Sequence, residues 1–549
     1  MSIVKKTAYR KIVSLTLIMS LLVSFLFINA AFVFASPGLS LKWRRNLGAN
    51  AGTYIGPLAA DINGDGRLEV VVTGGTVDNA EYTGMGIVTA LDGTTGNVVW
   101  QNTVLGVTMH TPFEIHDINN DGLLEIIVSG TYPTVLHGTN GSIYWQNPNV
   151  CSYNLYSPVA DIDADGYYEI FCSAGRAPWI GDDYFWVLSY DGKILRQNNE
   201  SWHPCWGGMT IGDANFDGIF ELYQGDRRYG YSTSTPYTYG EHGVSCLDSN
   251  TLTRIWEDNG VTCSSHVPML ADVDKDGILD VIVTQQSTSD GGLAVYNALT
   301  GSVLTTGGKN RKILSGYSAS HSQPTIADVD FDGKLEIIAC RSTNPKIWDL
   351  YDWKSDGELP ITCFEPPKVG DVTGDGKLDI IAVTYGTIYI YTYDSVGKTY
   401  VEVDRVAVPG GDANAFTLVQ DVDGDGYNEL IVSGQVGNVY CYDTTAPAPT
   451  PRVRSNVQFY SERHCGAAEY VPPPGPAAPQ ITEPTPADGA TNVQTTITQL
   501  TFKLTDYQHD PLNYTVTTNP DVGSKSGINV PNGKITVPVS GLAYSTVYT

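Results

Sequence analysis

The chain has 549 residues, enough for two or three domains, and its 42% hydrophobic content allows a sizeable core. Its net charge is −27, from 59 Asp and Glu against 32 Lys and Arg. That excludes a partner such as nucleic acid, whose phosphates need a basic surface. Nine Cys is an odd number, so at least one is unpaired or bonded to another chain.

The first 35 residues carry Lys5, Lys6, Arg10 and Lys11 ahead of an uncharged stretch from Ile12 that includes residues 15–34. Val33-Phe-Ala35 then places small residues at −3 and −1. This reads as a secretory signal over 1–35, cleaved near Ala35. The apolar run is also long enough to span a bilayer, so an uncleaved N-terminal anchor stays open. Both readings put the rest of the chain outside the cytoplasm, secreted or at the cell surface.

A nine-residue phrase then recurs eight times. A clear copy is Asp421-Val-Asp423-Gly-Asp425-Gly426-Tyr-Asn-Glu429. The others begin at Asp61, Asp117, Asp161, Asp213, Asp272, Asp328 and Asp371, with Asp at positions 1 and 5, Gly at 6 and Asp or Glu at 9. Oxygen-bearing side chains on alternate residues converge on a hard cation, and the Gly allows the sharp turn. Asp-Gly turns without an ion would leave eight carboxylate clusters repelling at short range. An EF-hand loop would end with Glu at position 12 and continue into a helix. Here each phrase runs into a β-branched stretch such as Glu69-Val-Val-Val-Thr or Glu125-Ile-Ile-Val-Ser. The phrase is therefore read as a calcium hairpin between two strands.

Successive phrases start 56, 44, 52, 59, 56, 43 and 50 residues apart. A period near fifty with several short strands per unit predicts the blades of an all-β propeller over 39–446, eight-bladed, with seven blades the alternative. In the first unit the strands are expected at 53–60, 68–73, 86–91 and 97–101, the last ending in Trp100. Leu41-Lys-Trp43 matches that ending but precedes any first strand, and the final unit runs into Pro without a fourth strand. Residues 39–46 are thus expected to supply it and to close the ring, removing open sheet edges. The phrases account for 28 of the 59 acidic residues, and eight bound Ca²⁺ would move the net charge from −27 to about −11. Cys151, Cys205, Cys263 and Cys363 each stand eight to ten residues before a phrase and read as small buried residues rather than a disulfide framework.

The stretches DINGDGRLE, DVDKDGILD and DVDGDGYNE resemble the FG-GAP or VCBS repeats of integrin-α-like propellers, over about residues 39–446. The resemblance implies calcium ligands at Asp61, Asn63, Asp65 and Glu69. Matching positions are Asp117, Asn119, Asp121 and Glu125; Asp161, Asp163, Asp165 and Glu169; and Asp213, Asn215, Asp217 and Glu221. The later copies give Asp272, Asp274, Asp276 and Asp280; Asp328, Asp330, Asp332 and Glu336; Asp371, Thr373, Asp375 and Asp379; and Asp421, Asp423, Asp425 and Glu429. Thr373 should make the seventh site weaker, and Asn428 departs from the apolar residue usual at position 8. Stretches such as residues 136–145 and 247–256 also resemble pyrroloquinoline-quinone-type blades, although a Gly turn followed by Trp is mostly packing.

Residues 447–480 are Pro-rich and read as a stiff linker. Residues 481–549 alternate apolar and polar, as in Thr501-Phe-Lys-Leu-Thr, and read as a partial β-sandwich. Pro486-Ala-Asp-Gly-Ala-Thr-Asn-Val493 resembles fibronectin-III or Ig-like modules of surface proteins, and the chain stops as if part-way through one.

Strand alternation puts the calcium loops on one face of a propeller and the irregular, ring-rich loops on the other. Trp179, Arg227 and Tyr229 lie in such loops and suit stacking on sugars or protein partners, or packing within their own loops. His110, His203, His266 and His321 stand six to ten residues before a phrase. They could bind a metal or act as acid–base groups near the central channel, or simply suit strand entry. The expected function is a calcium-binding adhesion or carbohydrate- or protein-binding module, with membrane contact only through an anchor. The alternative is a polysaccharide lyase, because eight-bladed calcium propellers also occur among such enzymes; no lyase-specific motif is present.

Overall fold

A computed structural model describes most of residues 38–448 and 480–548; the larger internal stretches left out are 76–83, 153–156, 174–184, 199–207, 226–242, 259–266, 286–291, 311–323, 412–416 and 506–511. Every described regular element is a β-strand. The proposed leader, the Pro-rich linker between residues 449 and 479, and Trp179, His203, Arg227, Tyr229, His266 and His321 lie outside the described residues.

Each phrase sits between two paired strands. The first unit runs Leu58–Ala60, Glu69–Gly74, Met85–Asp92 and Val98–Leu105, hydrogen-bonded in chain order. Compared with the sequence reading, the first strand is shorter and the fourth extends four residues further. Among the described residues, seven four-stranded sheets and one three-stranded sheet carry the eight phrases. The three-stranded one comprises Met269–Ala271, Asp280–Gln285 and Gly292–Asn297. In it the fourth-strand position is reduced to a single Tyr296–Val303 bridge. The second strands, such as Glu69–Gly74 and Glu125–Ser129, are buried at every residue, which suits their unbroken β-branched runs. Fourth strands such as Val98–Leu105 are largely exposed and form the outer edge of each sheet.

Ser40–Asn46 pairs antiparallel with Asn438–Pro447, completing a sheet with Tyr427–Ser433 and Thr417–Gln420. The N-terminal strand therefore fills the place for which the final unit has no residues of its own. Trp43 of this strand shares an apolar cluster with Val70, Val72 and Leu91 of the first unit and with Leu418 and Ile431 of the last. Similar clusters join each sheet to the next along the chain, as Ile126 and Leu136 join Val88 and Trp100.

Four of these junctions share one device. The fourth-strand indoles of Trp43, Trp100, Trp145 and Trp256 donate Nε1–H to the carbonyls of Gly93, Gly138, Tyr190 and Ala298, in the turn before the next sheet's fourth strand, at 2.6–2.8 Å. Each indole also lies flat against a Gly of that turn: Gly96, Gly141, Gly192 or Gly301, all at positive φ. A Cβ on Gly141 would come within 2.3 Å of the Trp100 ring. Where the residue in the Trp register is Arg196 or Gly357, the facing left-handed position holds Leu252 or Lys398 instead. The Gly is thus required by the ring stacked on it rather than by backbone conformation alone. This confirms packing as the meaning of the Gly-turn and Trp pattern.

Beyond residue 479, Gln480–Thr485, Gln499–Thr505 and Gly533–Pro538 form one sheet, and Leu512–Thr517 pairs with Ser524–Val530. Leu504, Leu512, Ile535 and Val537 make a small buried core between these strands. Cys151, Cys172, Cys246, Cys340, Cys363 and Cys441 are buried and form no disulfide among the described residues, in keeping with the small buried role expected of Cys151 and Cys363; Cys205, Cys263 and Cys465 lie outside the described residues.

Candidate metal centres

The loops share a hydrogen-bond scheme that explains their spacing, seen in full in seven of them; in the fourth, only its position-9 bond falls among the described residues. The position-1 Asp accepts from the backbone N–H of position 6, as Asp61 does from Gly66 (2.8 Å) and Asp328 from Gly333 (2.9 Å). Position 5 accepts from the N–H of position 7, as in Asp65 with Arg67 (2.9 Å). Position 9 reaches back to the N–H of position 2 in every copy: Ile62 to Glu69, Ile118 to Glu125, Ile162 to Glu169, Ala214 to Glu221, Val273 to Asp280, Val329 to Glu336, Val372 to Asp379 and Val422 to Glu429, all at 2.9–3.2 Å. The loop is thus folded around its own carboxylates.

Gly at position 6 has positive φ wherever it is described, from 80° to 91°. Position 4 is also left-handed, which the sequence reading missed. It holds Gly64, Asn120, Lys275, Phe331, Gly374 and Gly424, with φ between 56° and 80°. The mixed residue types at that position hid the requirement, since Asn tolerates it and Lys275 and Phe331 do not advertise it.

Adjacent loops bond to one another. The N–H of Tyr168, at position 8, donates to the carbonyl of Ile118, at position 2 of the preceding loop (3.0 Å). Leu279 does the same to Ala214 (2.8 Å), and the side chain of Asn428 reaches the carbonyl of Asp371 (3.4 Å). Asn428 thus uses its amide for the neighbour contact that an apolar residue makes through its backbone elsewhere.

The position-9 carboxylates are all less than a tenth exposed. Burial, reinforced by the neighbouring acids, pushes Glu336 up to about 9, Asp280 to about 8, and Glu69, Glu125 and Glu169 to about 7. Asp161, Asp163 and Glu169 converge, with one oxygen from each within 4.8 Å of the others; so do Asp272, Asp274 and Asp276, then Asp328, Asp330 and Asp332, then Asp421, Asp423 and Glu429. Asp328 Oδ1 and Asp379 Oδ1 are buried with no hydrogen-bond donor of standard geometry among the described residues. Buried, mutually repelling, partly unpartnered carboxylate oxygens fit a hard divalent cation, which would supply the missing charge. In the first two loops, Asn63 and Asn119 turn their amides to Glu69 (2.8 Å) and Glu125 (3.4 Å). In the seventh, the Thr373 N–H donates to Asp379 (3.0 Å). Asp213 is fully buried and Glu221 nearly so, but Asp217 of that loop lies outside the described residues.

Glu336→Gln keeps an acceptor for Val329 and removes a carboxyl that, without a cation, must take up a proton on folding. It is expected to raise stability in chelator by roughly 1–3 kcal/mol, the scale of an unpaired buried polar group, and to lower bound calcium by one ion per chain. Paired melting curves and calcium counting check it; equal melting in both conditions and an unchanged count would show that Glu336 is not a ligand.

Of the residues expected on the opposite side, His110 alone is described. It is half-buried in the turn before Phe113–His116, its N–H donating to Thr108 Oγ1 (3.2 Å). A half-buried acid–imidazole pair that the sequence reading passed over, His116 Nε2 and Glu114 Oε2 at 2.7 Å, has His116 stacked on Tyr168 of the next sheet's acid loop.

The FG-GAP-like repeat family matches residues 272–339 and 371–432. A comparison with curated proteins gives no match. Among solved structures, an exotype rhamnogalacturonan lyase is similar at 15% identity and TM-score 0.51, over 75% of this chain and 76% of its own. The biofilm matrix protein Bap1 of V. cholerae is similar at 15% identity and TM-score 0.40, over 79% of this chain and 96% of its own. BamB from Moraxella catarrhalis is similar at 14% identity and TM-score 0.45, over 74% and 98%. The matched repeats coincide with four acid-loop units, so the chain carries FG-GAP-like repeats, on antiparallel sheets whose fold is propeller-like.

Proposed function

We propose that this chain is a secreted or surface-displayed propeller, stabilised by calcium, that binds a carbohydrate or an extracellular protein. The observation that carries the reading is the eightfold loop scheme, in which a buried carboxylate at position 9 closes each loop over further acids. Calcium held there would neutralise the hairpins and fix the first two strands of each unit; the residues of this chain do the rest of the positioning through their backbone bonds. An eight-bladed ring is supported by the apolar clusters that run from sheet to sheet and from the last sheet to the first. The domain limits follow as 39–446 for the propeller, 447–480 for the linker and 481–549 for a fibronectin-III- or Ig-like module.

The reading assigns ligand binding to the loops opposite the acidic ones, where the sequence pattern alone puts Trp179, Arg227 and Tyr229. Calcium-loaded full-length chain on a glycan array tests this. Trp179→Ala and Tyr229→Ala are each expected to weaken binding about tenfold, the loss of one good aromatic contact, with unchanged melting. Unchanged binding with lowered melting would mean that the rings only pack their loops. Incubation with uronate polymers, followed by ultraviolet absorbance of an unsaturated product, tests the lyase alternative. Product formation lost in His110→Ala and His266→Ala would replace the binding reading with catalysis.

A further inference from the structure

The fourth strands carry one irregularity at one place. In the first unit Ala90 pairs with Trp100 and Leu91 with Val98, so Val99 is left out of the ladder. The same bulge leaves out Tyr144, Leu195, Ile255, Asp356 and Val403 in later units and Lys42 in the N-terminal strand. A bulge redirects its extra side chain. In the first, third and fourth units that residue is aliphatic and exposed: Val99, Leu195 and Ile255. In two others it is charged and acts on the acid loop of its own sheet. Asp356 adds negative potential at Asp330 and Glu336, while the Tyr400 hydroxyl donates to it (2.6 Å).

Lys42 does the opposite. Its ammonium contacts Asp423 Oδ2, Glu429 Oε1 (3.2 Å) and Asp443 Oδ1 (2.8 Å), and its side chain is 16% exposed. Asp423 and Glu429 are two of the three carboxylates that converge in the eighth loop. A positive charge already rests where a divalent cation would draw its ligands. The strand that brings it comes from the other end of the sequence and completes that same sheet.

We propose that Lys42 is a resident cation of the eighth loop: it neutralises Asp423 and Glu429, competes there with calcium, and keeps the N-terminal strand clasped when calcium is absent. The proposal rests on the calcium reading of the loops; in the sixth loop Lys334 also meets a converging acid, Asp332 (2.8 Å), but only that one, whereas Lys42 spans two. Bound calcium and bound ammonium exclude each other at the shared oxygens, so each lowers the other's hold.

Lys42→Met keeps an unbranched apolar stem and removes the charge; Lys42→Arg keeps the charge. Calcium binding by full-length chain is measured by titration calorimetry, and melting is followed in chelator and in saturating calcium. For Lys42→Met, calcium affinity at one site, that of the eighth loop, should rise about tenfold or more, about 1.4 kcal/mol. Its melting temperature should fall below the parent's in chelator and match or exceed it in calcium. Lys42→Arg should resemble the parent in both. Equal melting shifts in the two conditions, or calcium binding unchanged by Lys42→Met, overturns the competition while leaving the calcium reading intact. A Lys42→Met chain that fails to fold even in saturating calcium overturns it too, since the metal should then replace the ammonium. A parent chain that binds no calcium sinks the calcium reading itself and the competition with it.

Discussion

Chelation of divalent cations should lower the melting temperature of the full chain by roughly 10–20 °C, the largest single effect expected. Each loop saturated at about a hundred times its dissociation constant contributes about 2.7 kcal/mol. Several loops together therefore add on the order of 10 kcal/mol or more to the folded state, an upper figure because the unfolded acids retain some affinity. Without the cation, the position-9 acids must stay protonated or stand charged and buried, and both cost stability. The loss should reverse on adding calcium and should be much smaller on adding sodium at matched ionic strength. A melting curve indifferent to chelator would mean that the loops hold themselves through their backbone bonds alone.

The second large effect is expected at the indole junctions. Trp100→Ala removes a buried ring and leaves the Gly138 carbonyl without its donor, at a cost of about 3–5 kcal/mol. Gly141→Ala leaves the Trp in place but drives a methyl into it, since that Cβ would lie 2.3 Å from the ring. It should destabilise by about 1–3 kcal/mol or more. The two changes act on one contact, so the double variant should cost clearly less than the sum of the singles. Additive losses in a denaturant series would show that the ring and the Gly do not share an interface. Leu252→Ala, at a left-handed turn position facing Arg196 rather than Trp, serves as the contrasting site.

Much of this was legible from the chain because the chemistry is local. Nine consecutive residues contain all the side chains of an acid loop, and a β-branched run directly after them can only continue as a strand. Even the long-range pairing of residues 40–46 with 438–447 followed from a strand missing at one end and a spare one at the other. What stayed hidden depends on register between strands. The fourth-strand bulge shows only once Lys42 is seen skipped between the pairs Leu41–Tyr442 and Trp43–Cys441. Without it, Lys42 reads as an ordinary polar residue of an edge strand. Likewise the left-handed position 4 is masked by Lys275 and Phe331, and the Trp–Gly contacts link residues about 40 to 50 apart that no local pattern joins. Among the described residues, one unit shows only three strands, a Tyr296–Val303 bridge and a separate pair at Thr305–Thr306 and Lys309–Asn310, where the repeat led us to expect four strands.

The clasp between Ser40–Asn46 and Asn438–Pro447 has a mechanical consequence. Ser40 pairs with Asp443 and Asn46 with Asn438, so the incoming and outgoing segments leave the same end of the ladder. Tension between them would peel the rungs apart one after another instead of shearing all of them at once. Resistance to such pulling is therefore concentrated in the first rungs, where Lys42 grips Asp443.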